Sequence, residues 1–482
     1  MTLLRKVKNA SIWQTIEVLV TVAAQFIYMA TMARILSKPD FGLMAIANSF
    51  VFFGYIFAES GMGAALIQRQ NITNKHINAA LQGGVLFGLI LFFLFFILSP
   101  RIAIFFAQPQ LENIIRVIAI NFFIFSTSAV SMGILQKEFR FKEKSLVTIF
   151  SIITAYATGI YLGLSGYGVW SLIVAVLLIS IFRTIGYFYF ARIQIIKGLF
   201  FKEWRDLFSF GFGAILLRIT QYIGANGINL ILGKIFSPAL LGVFERSYQI
   251  KTIPASYIGN IIDTVMFPAL SQIQDEEERL FKIYQEMLGA VNTIFIPAVF
   301  YFIFFSKEIV LILLGKNWPE AVTPLQIMFV ALPFIISLRM ADSVIRAKGL
   351  IYKNARRRCL FVIVLLCSVS YGGYNYGLIG AAVGVTISYL FNYFTMLLLV
   401  RKVFEKNILE IFYAPIMPGL KLMLFLMLIV VSATTLFNQW GAVNISYFLI
   451  QTLFIGSLAL IILWKKPSIF GEYFKNIILK IN

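Results

Sequence analysis

Runs of about twenty apolar residues, the length needed to cross a bilayer core as a helix, recur from one end of the chain to the other. No polar segment between them is long enough to fold as a domain. Spans are predicted near 11–32, 41–66, 78–98, 114–135, 146–164 and 168–190, then 207–232, 242–267, 285–305, 324–346, 359–374 and 379–400, and finally 416–436 and 446–464. Composition agrees. The 482 residues are 60% hydrophobic and 13% charged, whereas soluble domains lie near 45–50% and roughly 25%. The expected fold is an all-α membrane protein of about fourteen transmembrane helices.

Lysine and arginine set the orientation, because cytoplasmic loops carry the excess of them. With both termini in the cytoplasm, basic residues of the inner segments outnumber those of the outer loops more than four to one. That bias accounts for the net charge of +20. The basic residues form no continuous face and no nucleic-acid motif, so nucleic acid is not an expected partner. Arg5, Lys6 and Lys8 before an apolar run imitate a signal peptide, but the run is too long and no small-residue cleavage site follows. The outer loops leave no room for a catalytic domain. His76 is the only histidine, which excludes a histidine-based triad, and Cys359 and Cys367 share one predicted helix and cannot build a disulfide framework or a four-ligand metal site. No cofactor or metal is expected.

The chain repeats itself. Arg34-Ile35-Leu36-Ser37 with Phe41-Gly42-Leu43 matches Lys234-Ile235-Phe236-Ser237 with Leu241-Gly242-Val243 at an offset of 200. Glu59, Met62, Ala65, Leu66 and Gln68 match Asp263, Met266, Ala269, Leu270 and Gln272 at 204, and Tyr167-Gly168 and Arg192 match Tyr376-Gly377 and Arg401 at 209. Each repeat covers six spans. An even number makes the repeats parallel, a plan in which substrate binds between halves that alternate access. The expected divisions are 1–200 and 201–405, two six-helix lobes, and 406–482, the last two helices and a cytoplasmic tail.

These features carry a resemblance. Two six-helix halves, the turn Arg34-Ile35-Leu36-Ser37 followed by Phe41-Gly42, Gly166-Tyr167-Gly168-Val169-Trp170-Ser171-Leu172 opening the sixth span, and Gly61-Met62-Gly63-Ala64-Ala65-Leu66-Ile67-Gln68 ending the second resemble the polysaccharide transporter family of Wzx-type flippases. That family lies within the multidrug/oligosaccharidyl-lipid/polysaccharide exporter superfamily. The resemblance covers nearly the whole chain and is specific to family, not to substrate. It implies a bacterial inner-membrane flippase, not an enzyme, that carries undecaprenyl-pyrophosphate-linked oligosaccharide units from the cytoplasmic to the outer leaflet for exopolysaccharide, capsule or O-antigen synthesis. It also implies a V-shaped pair of lobes around a central cavity, with polysaccharide polymerase and glycosyltransferases as functional neighbours.

Ionisable residues inside spans are costly and mark cavities or partners. Arg218, Lys251 and Arg339 lie deepest, with Arg246 and Arg183 next, and a cationic cavity built from them would suit a pyrophosphate. The competing reading is structural pairing: Arg339 with Asp342 three residues on, or Glu17 with Arg218 across the halves. Glu17, Asp342 and the equivalent carboxylates Glu59 and Asp263 are candidates for coupling or gating, or for simple headgroup-zone charges. Arg356-Arg357-Arg358 is placed in a cytoplasmic loop, where it orients the chain and meets anionic lipid. Pro254, Pro297 and Pro333 fall inside spans and permit kinks.

No Walker-type loop is present. An anion moving outward across an inside-negative membrane gains about 2.3 kcal/mol per charge per 100 mV, so the potential can contribute to driving without ATP. The alternative function is a multidrug/cation antiporter of the same superfamily, but a site for cationic drugs would prefer acidic residues. A membrane polymerase would need a sizeable outer loop.

Overall fold

In hydrocarbon the backbone finds no water, so each spanning segment must satisfy its own N–H and C=O groups, and the helix does so locally. A computed structural model follows that rule. It describes residues 3–58, 66, 72–201, 203–204, 222–438 and 457, and no strand occurs among them. The helices are α1 (Leu3–Ile35), α2 (Lys38–Ala58), α3 (Asn74–Phe105), α4 (Gln110–Lys137), α5 (Phe141–Leu164), α6 (Val169–Ala191), α7 (222–235), α8 (Pro238–Ser271), α9 (Glu277–Phe304), α10 (Ser306–Leu313), α11 (Val322–Phe329), α12 (Leu332–Ala347), α13 (Ile351–Phe404) and α14 (Ile408–Asn438). Every predicted span through 416–436 falls on helix where its residues are described, the second by its first part and the seventh by its second. The last, 446–464, lies outside the described residues.

Two differences from the expected spans have local causes. The span expected at 324–346 is broken: Pro319–Phe329 and Leu332–Ala347 meet at 42°, with Pro333 in the first turn of α12, where its missing N–H costs nothing. The spans expected at 359–374 and 379–400 run on as α13, interrupted only at Gly377 (φ 60, ψ −142). The two arms then cross so closely that a Cβ on Gly372 or Gly380 would overlap the other's carbonyl oxygen. Ser368 Oγ bridges to Ser388 Oγ at 2.6 Å across the same crossing.

The repeat is written in the backbone. Left-handed residues recur as Ala107 and Gly315, Phe139 and Gly349, and Gly168 and Gly377, at offsets of 208, 210 and 209. Gly168 (φ 53, ψ −133) and Gly377 share a conformation that essentially only glycine adopts. The match of Arg192 with Arg401 does not extend to the helix ends. The left-handed caps are Arg192 and Glu405, because the second half runs one turn further.

Contacts divide the chain into two compact units. One runs to Glu245 and takes in Leu313–Gly315; the other holds the rest. In the first, α3 packs on α4, α5 on α6 and α1 on α5. Helix α3 buries Gly84, Gly88, Leu91, Phe95 and Ser99 and exposes Leu86, Ile90, Phe93 and Ile97. A helix apolar on its outer face as well as its inner one belongs in lipid. This unit also contains the start of the second repeat. A Cβ on Gly42 would overlap the Pro238 carbonyl, and one on Gly242 would overlap the Lys38 carbonyl. The pairs exchange under the offset of 200, so α2 and α8 cross at a local pseudo-twofold. That crossing, with Tyr222 Oη donating to the Ser49 carbonyl at 2.7 Å, is why α7 and the first turns of α8 pack with the first unit rather than dividing from it at residue 200.

In the second unit α14 and α12 pack on α9, and α13 packs on α11 and α12. Ser247 Oγ ties α8 to the Ala321 carbonyl at 3.0 Å, and Thr386 Oγ1 ties the second arm of α13 to the Ile327 carbonyl at 2.9 Å.

Candidate functional site

The first unit gathers charge where α1, α5 and α6 meet. Glu17 of α1 accepts from Lys144 Nζ at 3.2 Å and from Ser145 Oγ at 2.7 Å, both on α5. The ion pair is nearly dry, its side chains 10% and 15% exposed. One turn along, Thr148 Oγ1 meets Tyr187 Oη of α6 at 2.7 Å. Arg183 lies one turn from Tyr187 and within electrostatic reach of it. Its Nε is buried and makes no hydrogen bond. Arg183 thus offers an uncommitted donor beside a fixed ion pair. The sequence reading missed Lys144, which it placed in a loop. The helix begins at Phe141, and Lys144, Ser145 and Thr148 then share the face turned to α1 and α6.

The second unit holds Lys251 of α8. It is 1% exposed, and its ammonium lies 4.2 Å from the Tyr248 ring centroid and 4.7 Å from that of Tyr389, on the second arm of α13. The two tyrosines are themselves hydrogen-bonded. No carboxylate of the described residues stands within ion-pair distance of Lys251, so the ring faces carry the attraction. Arg339 of α12 lies within electrostatic reach of Tyr389 and packs on α8 at Gly259, where a Cβ would stand 3.1 Å from its Nε. Lys251 and Arg339 are therefore brought to one tyrosine. Arg246 is half-buried on α8, more than a turn before Lys251.

Asp342 sits in a different cluster. It is 3% exposed, accepts from Asn354 Nδ2 at 2.6 Å and Arg358 at 2.9 Å, and forms an ion pair with Arg346 at 3.3 Å. Arg357 donates to Asn354 Oδ1 at 2.9 Å, to the Asn392 carbonyl at 3.2 Å and to Asn392 Oδ1. This network pins α12 to both arms of α13. The arginines expected in a loop are thus on helix, Arg357 buried within it. Helix α13 starts at Ile351, eight residues before the span predicted from hydropathy, because Asn354 and Asp342 satisfy the polar side chains of its first turns.

Arg218 and Glu59 lie outside the described residues, and Asp263 is placed only by its backbone on α8. Among the described residues no group of three His, Cys, Asp or Glu side chains could hold a metal ion.

Long apolar helices, eight of them sufficient to cross a membrane among the described residues, and a repeated helical plan define a multi-pass all-α membrane fold. The lipid II flippase MurJ, in an inward closed conformation, superposes with a TM-score of 0.74 over 97% of this chain and 99% of that one, at 18% identity. The chain belongs to the polysaccharide biosynthesis protein family, which matches residues 31–323. It is 25% identical to an uncharacterized membrane protein in the cps region of Klebsiella pneumoniae, over 89% of this chain and 90% of that one. It is 23% identical to the lipopolysaccharide biosynthesis protein WzxC of Escherichia coli K12, over 82% of each.

Proposed function

We propose that the chain is a flippase for undecaprenyl-pyrophosphate-linked oligosaccharide units in the bacterial inner membrane. It moves them from the cytoplasmic to the outer leaflet by alternating access between the repeats 1–200 and 201–405, with 406–482 outside that core and both termini in the cytoplasm. The observation that carries the reading is the chemistry of the buried charges. In a fold shared with a lipid II flippase, Lys251 sits deep in a span against two tyrosine rings, with no carboxylate of the described residues within ion-pair distance. A pyrophosphate crossing a low-dielectric region needs such cations, and arginine meets its oxygens bidentately. Lys251, Arg339, Arg246 and Arg218 from the second repeat and Arg183 from the first are assigned to the substrate headgroup. Glu59 and Asp263 are assigned to gating. Glu17 and Asp342, already held by Lys144 and by Arg346 and Arg358, position helices. Polymerase and glycosyltransferases act on the same carrier before and after it crosses.

The test is polymer export in cells carrying Arg218→Ala with Arg339→Ala at normal expression. Export falls at least tenfold if the two guanidiniums hold the headgroup in transit, since a charge-assisted contact is worth about 1.5–3 kcal/mol. Unchanged export refutes the assignment.

A further inference from the structure

Beside the Asp342 network, the two arms of α13 enclose a cavity of about 610 Å³. Lys353, Arg356 and Arg357 line it from the first arm and Lys402 from the second, while Leu360 and Leu398 form part of its apolar wall. No carboxylate lines it. Deeper in, the cations outnumber the acid. Arg357 is 7% exposed and feels the like charge of Arg358, and Asp342, the one acid of this network among the described residues, is shared by Arg357, Arg346 and Arg358. From Lys353 to Leu360 is about 10 Å along the helix. The apolar wall continues from the cations into a face where Leu360 and Ile363 are exposed.

A basic pocket opening onto an apolar, lipid-facing wall has the chemistry of a phospholipid, with phosphate above and acyl chain below. We propose that this cavity binds an anionic phospholipid of the cytoplasmic leaflet, its phosphate between Arg356, Lys353 and Lys402 and its acyl chain along Leu360 and Leu398. The leaflet rests on the orientation proposed above; the ligand chemistry does not. The lipid supplies the negative charge that the protein lacks there and clamps the arms of α13 at their open end.

Native mass spectrometry of the purified chain, titrated with phosphatidylglycerol and with phosphatidylcholine of the same acyl chains, tests this directly. Phosphatidylglycerol is retained with at least tenfold preference, and Lys353→Gln/Arg356→Gln/Lys402→Gln removes that preference, each basic side chain being worth about fivefold. The control Lys307→Gln/Lys316→Gln keeps it. Cys359, exposed and lining the cavity, gives a readout that needs no variant. Phosphatidylglycerol slows its alkylation in lipid nanodiscs, and inorganic phosphate or pyrophosphate added to phosphatidylcholine nanodiscs does not. Equal retention of the two lipids, a preference that survives the triple substitution, or full protection by soluble phosphate overturns the proposal. A chain that binds phosphatidylglycerol but moves no carrier would leave this site standing and remove the proposed function.

Discussion

At the scale of single residues, two buried ammonium groups are treated in opposite ways. Lys144 has a carboxylate and is fixed; Lys251, among the described residues, meets only the faces of Tyr248 and Tyr389, and in the proposed function its ammonium receives the incoming anion. Removing one partner of a nearly dry pair strands the other, which costs about 3 kcal/mol at the lower end of the range for buried pairs, given the residual exposure of Glu17 and Lys144. Glu17→Gln is therefore expected to lower the unfolding midpoint in detergent clearly, and Glu17→Gln/Lys144→Met to recover most of the loss. If the double variant is as unstable as the single one, the pair is not what holds α1 on α5. Charge inside spans was legible in the sequence, but partnership was not. The spacing of Arg339 and Asp342 suggested a pair, whereas Asp342 takes Arg358 and Asn354, which lie across a turn that hydropathy does not see.

Helices and their junctions show more of what the sequence encodes. Tyr167-Gly168 and Tyr376-Gly377 were visible as a match, and both glycines occupy the same glycine-only region of backbone space. A side chain there costs about 1–3 kcal/mol. Gly168→Ala and Gly377→Ala are each expected to destabilise by that amount and by similar extents, measured as chemical denaturation in detergent micelles. A loss at one site and none at the other would deny their equivalence. Gly42 and Gly242 test the crossing of α2 and α8. Leucine at either position must push the helices apart, so both single variants should reduce folded yield severalfold, while leucine at exposed Gly166, where nothing lies within 4 Å of a Cβ and only the left-handed backbone (φ 85) opposes it, should do less. The break between α11 and α12 and the early start of α13 were not legible, since both depend on partners distant in sequence.

For the molecule as a whole, the apolar runs gave the helical class, the basic loops an orientation and the offset of about 200 the repeat. Family membership and the MurJ-like fold agree with the class and the repeat. The division into compact units at Glu245 and Arg246 could not be read from the sequence, because it follows from the contact between Gly42 and Gly242 and not from any change in composition. The function proposed at this scale is the movement of an anionic headgroup. A pyrophosphate carrying two charges gains about 4.6 kcal/mol per 100 mV on moving outward. The measurement that bears most directly on this account is translocation of a pyrophosphate-linked oligosaccharide lipid in proteoliposomes with an imposed potential. The account predicts faster transfer toward the positive side as the potential rises, and at least a tenfold loss in Lys251→Met. Transfer that ignores the potential and persists at full rate in Lys251→Met would contradict it.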